Sequence, residues 1–206
     1  MKTKKIKIKF ITPLLGSASG NPDLHRDYIA SKAPDAPSRE EEIAALGVDE
    51  VERKEMTVFA RTPDGKPCLW DYQIKGFFKN ACQTLRAIDG TASSKIKAYK
   101  KYIDGLVFVS PRQIPIEYDG EILDRPRSLR ASTPQGERIA LANSERIGAD
   151  EINENGIGAE IEVEIAVLKD ELWNTVKEWL DYGSLNGIGQ WHNGGYGRFV
   201  WEEKDG

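Results

Sequence analysis

Near the carboxyl end, Gly187-Ile188-Gly189-Gln190-Trp191-His192-Asn193-Gly194-Gly195-Tyr196-Gly197-Arg198-Phe199 carries five glycines, and this stretch does most to limit the fold. Glycine tolerates positive φ and puts no side chain over the backbone, so such a loop can lie flush against another backbone. Its successive N–H groups can also line an anion-sized concavity. The same glycines suit a plain tight turn. The stretch follows the helical pattern Leu172, Val176, Trp179, Leu180 and runs into Arg198-Phe199-Val200-Trp201, which reads as a strand. Helix, glycine loop, strand is the reverse of a dinucleotide fingerprint, so that kind of cofactor fold is set aside.

The rest of the chain supplies the elements around this loop. Lys5 to Ile11 alternates polar and apolar, a strand with one buried face that ends at Thr12-Pro13. Gly16 to Ser38 has no periodicity and reads as a long loop; Ser38 then caps a short acidic helix, Arg39 to Leu46. Glu55 to Arg61 and Pro67 to Trp70 read as strands joined across Pro63-Asp64-Gly65-Lys66. Ile74, Phe77, Phe78, Ala81, Cys82 and Leu85 form the apolar stripe of the first long helix. A basic helix is expected over Lys95 to Tyr102, then strands over Leu106 to Val109 and Ile114 to Tyr118, the latter at an edge because of Pro115. Asp124 to Gly136 reads as irregular and basic, Arg138 to Ile147 as a strand, and Ala159 to Leu168 as an alternating strand. Without insertions the order is strand, helix, strand, strand, helix, strand. That predicts an α+β, ferredoxin-like (RRM-like) fold, an antiparallel sheet with two helices on one face. One domain over 1–206 is expected, with loop and hairpin insertions at about 12–72 and 119–150.

Composition narrows the function. The chain of 206 residues has 39% hydrophobic and 30% charged residues, enough for a core without staples. No run of about 18 apolar residues and no signal-peptide core occur, so a cytoplasmic protein with no membrane partner is expected. Cys68 and Cys82 sit in no CxxC pair and read as buried thiols; with His25 and His192 the only imidazoles, a zinc site has little support. No cofactor is expected, although a carboxylate-held Mg²⁺ stays open. A formal net charge of −4 argues against coating nucleic acid by bulk charge. Bases nevertheless recur at Lys95, Lys97, Lys100, Lys101, Arg112, Arg125, Arg127 and Arg130. They suit either a one-sided phosphate-binding surface or scattered solvated charge.

Three separated segments resemble the RAMP superfamily, the RNA-binding subunits of CRISPR effector complexes. Ile11-Thr12-Pro13-Leu14-Leu15-Gly16-Ser17 is similar to its "TPLHIGSG" start. Trp70 to Lys79 sits where the superfamily has "IPGSSLKGALR" opening its first helix, led in by the Pro63–Pro67 turn. Gly187 to Phe199 is similar to its carboxy-terminal "GGxxSxGFGR" loop. The chain most resembles the repeated backbone subunit of type III complexes. It departs from the pattern in lacking the His of the first motif, in carrying Asp71-Tyr72-Gln73 for Gly-Ser-Ser, and in His192-Asn193. Such drift fits a diverged or stand-alone member.

The resemblance implies single-stranded or guide RNA held by the glycine loop and the first helix, in a CRISPR-type ribonucleoprotein of antiviral defence, with the chain as one of several copies in a homo-oligomer or as a subunit of the complex. Lys75, Lys79 and the amides of Gly76 and Gly194 to Gly197 would then hold phosphates, as a helix start and a glycine nest can. Gly189 and Arg198 belong to the same loop; Trp191, His192 and Tyr196 could stack on bases or pin the loop to the core. Arg125, Arg127 and Arg130 match in position an extended thumb that reaches a neighbour, or form a solvated loop. In type III backbone subunits an aspartate after the first strand promotes metal-dependent RNA cleavage, and the matching loop here holds Asp23, Asp27 and Asp35. The open alternatives are thus a Mg²⁺-dependent endoribonuclease using Asp23 or Asp27, and a phage or mobile-element protein that binds a host defence component or nucleotide signal.

Overall fold

Alternation of Lys and Ile in the first strand orients the main sheet. β1 (Lys2–Phe10) buries Ile6, Ile8 and Phe10 completely and turns Lys5, Lys7 and Lys9 to the opposite face. The structure, a computed structural model, describes residues 1–19, 56–133, 136–149 and 151–204, with the backbone alone between 128 and 141. After β1 come the two-residue strands β2 (Leu14–Leu15) and β3 (Ala18–Ser19), then β4 (Met56–Val58), β5 (Ala60–Arg61) and β6 (Pro67–Trp70). α1 (Asp71–Leu85) and α2 (Tyr99–Leu106) lead to β7 (Val107–Ser110), β8 (Gln113–Pro115) and β9 (Leu123–Asp124). β10 (Arg127–Thr133), β11 (Gly136–Ile147), β12 (Glu160–Val167), α3 (Leu172–Tyr182) and β13 (Phe199–Lys204) complete the described elements.

The main sheet has the order β13-β1-β12-β7, with every neighbouring pair antiparallel. α1 and α3 pack on the face that carries Ile6, Ile8, Phe10, Ile161, Val163 and Ile165, and Phe78 meets Trp179 between them at 5.5 Å. Each such large side chain taken from water contributes about 1.5–3 kcal/mol. α1 owes its start to Gln73, whose Oε1 accepts the Trp70 N–H at 2.7 Å, and its length to buried residues at helical spacing from Ile74 to Cys82. A second sheet runs β10-β11-β4-β3, with β2 and β9 also paired to β11; a third runs β5-β6-β8. The chain is a mixed α+β protein whose sheets are antiparallel except for the parallel β4–β11 pair, with three α-helices among the described residues. This is compatible with the ferredoxin-like plan. No helix among the described residues is long and apolar enough to cross a membrane.

Four expectations change in detail. The strand expected over Glu55 to Arg61 is divided at Phe59, because β4 joins β11 and β5 joins β6. The divide is held by Glu145, whose carboxylate accepts the Phe59 N–H at 2.8 Å. The basic helix starts later, at Tyr99, behind a tight turn over Ser93–Lys95. There the Glu178 carboxylate accepts the Ala92 and Ser93 N–H groups at 2.8 and 3.0 Å. The irregular stretch Asp124 to Gly136 contains β9 and β10; β10 pairs antiparallel with β11 from Arg127↔Ala142 to Thr133↔Gly136. Backbone pairing supplies that ladder whatever the side-chain pattern. The start of the expected loop, Gly16 to Ser19, lies against β4, where an added Cβ on Gly16 would collide with the Val58–Phe59 backbone. The remainder of that loop and the helix expected over Arg39 to Leu46 lie outside the described residues.

Candidate nucleic-acid interface

The glycine loop is folded back on itself. An added Cβ on Gly187 would collide with the Tyr196 carbonyl oxygen, and one on Gly197, at φ +70°, with that of Ile188. The Ile188 N–H donates to the Gly197 carbonyl at 2.9 Å, and the Gly197 N–H donates to Pro13 at 2.7 Å. The two arms therefore lie backbone to backbone and are clamped to the end of β1. Gly194 and Gly195 donate to the carbonyls of Trp191 and His192 at 2.8 and 2.9 Å, so these amides are engaged within the loop. Gly76 is the sixth residue of α1, beyond the N–H groups that a helix start leaves open. Arg198 also works inside the fold: its N–H donates to Thr12 Oγ1 at 2.8 Å and its Nε to the Ser184 carbonyl at 2.6 Å.

At the tip of the loop the structure brings four sequence-derived residues together. Trp191 is 42% exposed and takes φ 57°, ψ 31°, a left-handed conformation that costs a bulky residue about 1–3 kcal/mol. Its ring stacks on Tyr196 at 5.2 Å and 10°. The Arg127 guanidinium lies 5.0 Å from the Trp191 ring centre, and Arg125 Nε donates to the Tyr196 hydroxyl at 3.3 Å. Gln190 braces the cluster from below. Its amide nitrogen donates to the Gly16 carbonyl at 2.7 Å and, through its second N–H, to the Thr57–Ser144 hydroxyl pair at 2.9 and 3.2 Å, and its oxygen accepts from Arg127 Nη2 at 2.8 Å. Arg127 Nε and Nη1 are buried and have no hydrogen-bond partner among the described residues. Thr57, Ser144 and Gln190 were not legible as site residues; Thr57 and Ser144 bond at 2.7 Å across 87 positions of sequence.

A cleft of about 330 Å³ opens between α1 and the same loop. Phe59, Trp70, Tyr72 and Phe77 give it aromatic walls, Gly76 lies on the α1 side, and Gly189, Gln190 and His192 lie on the loop side. Below it, the buried Glu145 carboxylate receives Arg61 Nη2 at 2.9 Å on both oxygens, fixing Phe59 and Ala60. His192 Nδ1 contacts the Gly189 carbonyl at 3.0 Å.

Lys75 and Lys79 point away from this cleft, toward α2. Lys79 Nζ pairs with Asp104 at 2.6 Å; Lys75 Nζ donates to the Asp104 carbonyl at 3.4 Å and lies 5.3 Å from the Phe108 ring centre. Burial lowers the Lys75 pKa, with the Asp104 charge opposing that shift. At the start of α1, Asp71 already places a carboxyl group on the positive end of the helix. Burial raises its pKa, opposed by a backbone N–H and by Arg112. Arg130 falls in β10 opposite Ile139. Asp23, Asp27 and Asp35 lie outside the described residues; among those described, no three His, Cys, Asp or Glu side chains converge as a metal site.

The open face of the main sheet is different again. Lys5, Lys7, Lys9 and Lys204 stand in register among Glu160, Glu162, Glu164 and Glu202. Lys7 pairs with Glu160 at 2.6 Å, Lys9 with Glu202 at 3.3 Å, and Lys204 with Glu162.

No family model matches the chain, and no curated protein matches its sequence. Among solved structures it is similar to a chain of the type III-B Cmr-β complex bound to cognate target RNA, with TM-score 0.48 and 11% identity, covering 99% of this chain and 60% of that one. It is also similar to a chain of a type IV-B CRISPR complex, with TM-score 0.45 and 9% identity, covering 98% of this chain and 90% of that one. The chain thus spans about 60% of the length of the first of these.

Proposed function

We propose that this chain binds single-stranded RNA at the Arg125–Arg127–Trp191–Tyr196 cluster, as a ferredoxin-like, RAMP-type subunit of a CRISPR-type ribonucleoprotein. The observation that carries the reading is Arg127. Its guanidinium lies against an exposed Trp held in a strained conformation, and two of its nitrogens lack an acceptor. A buried donor without a partner costs about 1–3 kcal/mol, which a phosphate or base edge would recover when the cluster opens to admit it. Aromatic rings beside a cation suit a single strand, since stacking contributes about 1–3 kcal/mol per base and tolerates any sequence. The three segments that resemble RAMP motifs supply the ribonucleoprotein context, and two of them, Ile11–Ser17 and Gly187–Phe199, meet at this cluster through Gly16 and Gln190.

The test is binding of RNA-free purified protein to labelled single-stranded RNA across a salt series. The wild type binds at low salt and weakens steeply as salt rises, because phosphate contacts release counterions. Arg127→Ala lowers affinity about tenfold and reduces the salt slope by about one. The Lys75→Glu/Lys79→Glu variant loses less, because Asp104 already engages both lysines. Absent binding at low salt overturns the proposal.

A further inference from the structure

Building on that RNA-binding reading, we infer that the neutral cleft beside the cluster receives one unstacked nucleobase of the bound strand. Charge is the first reason. Among the described residues no Lys, Arg, Asp or Glu lines the cleft, so it offers no charge to a phosphate, while the cation sits outside on Arg127. Gln190 joins the two places, lining the cleft and accepting from Arg127 at 2.8 Å.

Shape is the second reason. At about 330 Å³ the cleft is at the small end of ligand pockets, which run from roughly 300 to 1,000 Å³. Its walls are flat: Tyr72 is held parallel to Trp70 at 6.3 Å and 5°, and Trp70 in turn carries Arg112 at 5.3 Å. Gly76 keeps the entrance open, since a Cβ there would meet nothing within 4 Å. A glycine in the interior of a helix costs about 1 kcal/mol relative to Ala. Among the described residues no packing contact requires glycine at this position, so the open cleft is what the residue provides.

Hydrogen bonding is the third. Asn80 Oδ1 accepts from Asn186 at 2.9 Å, which fixes the amide and leaves Nδ2 as an uncommitted donor on the α1 wall. On the loop wall, the Nδ1 contact of His192 with the Gly189 carbonyl leaves Nε2 uncommitted. In the neutral tautomer with the proton on Nδ1, Nε2 is an acceptor. A donor and an acceptor between aromatic walls match the edge and faces of a base.

The test measures the affinity of wild type and Gly76→Phe for an RNA oligomer and for an abasic ribose-phosphate oligomer of the same length. Gly76→Leu is the second cleft-filling variant. Both replacements improve helix propensity and meet open space, so thermal unfolding at or above the wild-type midpoint is expected. If the cleft takes a base, both variants bind the RNA oligomer about tenfold more weakly and bind the abasic oligomer as the wild type does. Unchanged RNA affinity in both variants overturns the base slot and leaves the Arg127 site standing. Equal losses on both oligomers overturn it as well, since the cleft would then be touching backbone. If the wild type binds neither oligomer, the RNA-binding reading fails. A titration with free adenosine and uridine then decides the slot: saturable binding lost in Gly76→Phe keeps it, and no binding removes it.

Discussion

The open face of the main sheet and the tip of the glycine loop both display cations, yet they are built oppositely. On the sheet, Lys5, Lys7, Lys9 and Lys204 stand among four glutamates, and the pairs close at distances such as 2.6 Å for Lys7 and Glu160. Alternation with period two puts Lys5, Lys7 and Lys9 of β1 on one face, and the same alternation in β12 sets Glu160, Glu162 and Glu164 beside them. The face is self-neutralised. At the loop tip, Arg127 is met by a ring and an amide oxygen, with two nitrogens unpaired. Cation count is therefore a poor guide to an anion site; hydrogen-bonding capacity that the fold leaves unspent is a better one.

The sharpest way to break this comparison is to remove the loop's geometry while keeping its side chains. Gly197→Ala places a Cβ against the Ile188 carbonyl at a positive φ, and is expected to destabilise the protein by about 3 kcal/mol in denaturant unfolding. Gly195→Ala, also at positive φ but with no neighbour within 4 Å, is expected to cost only about 1–2 kcal/mol. A next step separates stability from binding within the cluster. Trp191→Gly relieves the left-handed strain, so the thermal midpoint is expected to hold or rise, while RNA affinity falls about tenfold in the same salt series. Equal losses of stability and affinity would mark the ring as a structural prop.

The sheet face can then be turned toward RNA. Replacing Glu160, Glu162 and Glu202 by Gln removes the partners of Lys7, Lys9 and Lys204, and low-salt RNA affinity is expected to rise roughly threefold with a steeper salt slope. The smallest effect is expected from Lys9→Ala, whose partner Glu202 is exposed. RNA affinity should change less than about twofold, and stability by no more than about 0.5 kcal/mol. A tenfold loss of RNA binding there would move the interface onto the sheet.

Legibility followed how local the physics was. The strands over β1 and β12 and the helices α1 and α3 were readable because each buries one face, and one-faced burial writes its period into the residues. β10 was missed because its ladder depends on pairing with β11. The divide at Phe59 was missed because a carboxylate from Glu145, far along the chain, creates it. In the site, the loop residues Trp191 and Tyr196 and the arginines Arg125 and Arg127 were named from sequence. That they meet, and that Gln190, Thr57 and Ser144 brace them, was not. Lys75 and Lys79 show the converse: their place off the apolar stripe was readable, their engagement by Asp104 was not.

By itself, then, the sequence determined the amphipathic elements and the flexible-backbone positions, since period and glycine content act over a few residues. It also determined the chemistry the loop could present. Only the tertiary structure decided which charges are cancelled and which are left. Cancellation depends on distances between residues such as Arg61 and Glu145, 84 positions apart, that no local pattern encodes. The same packing decided that the glycine amides close the loop on itself, and that the unspent donors lie on Arg127 beside a neutral cleft.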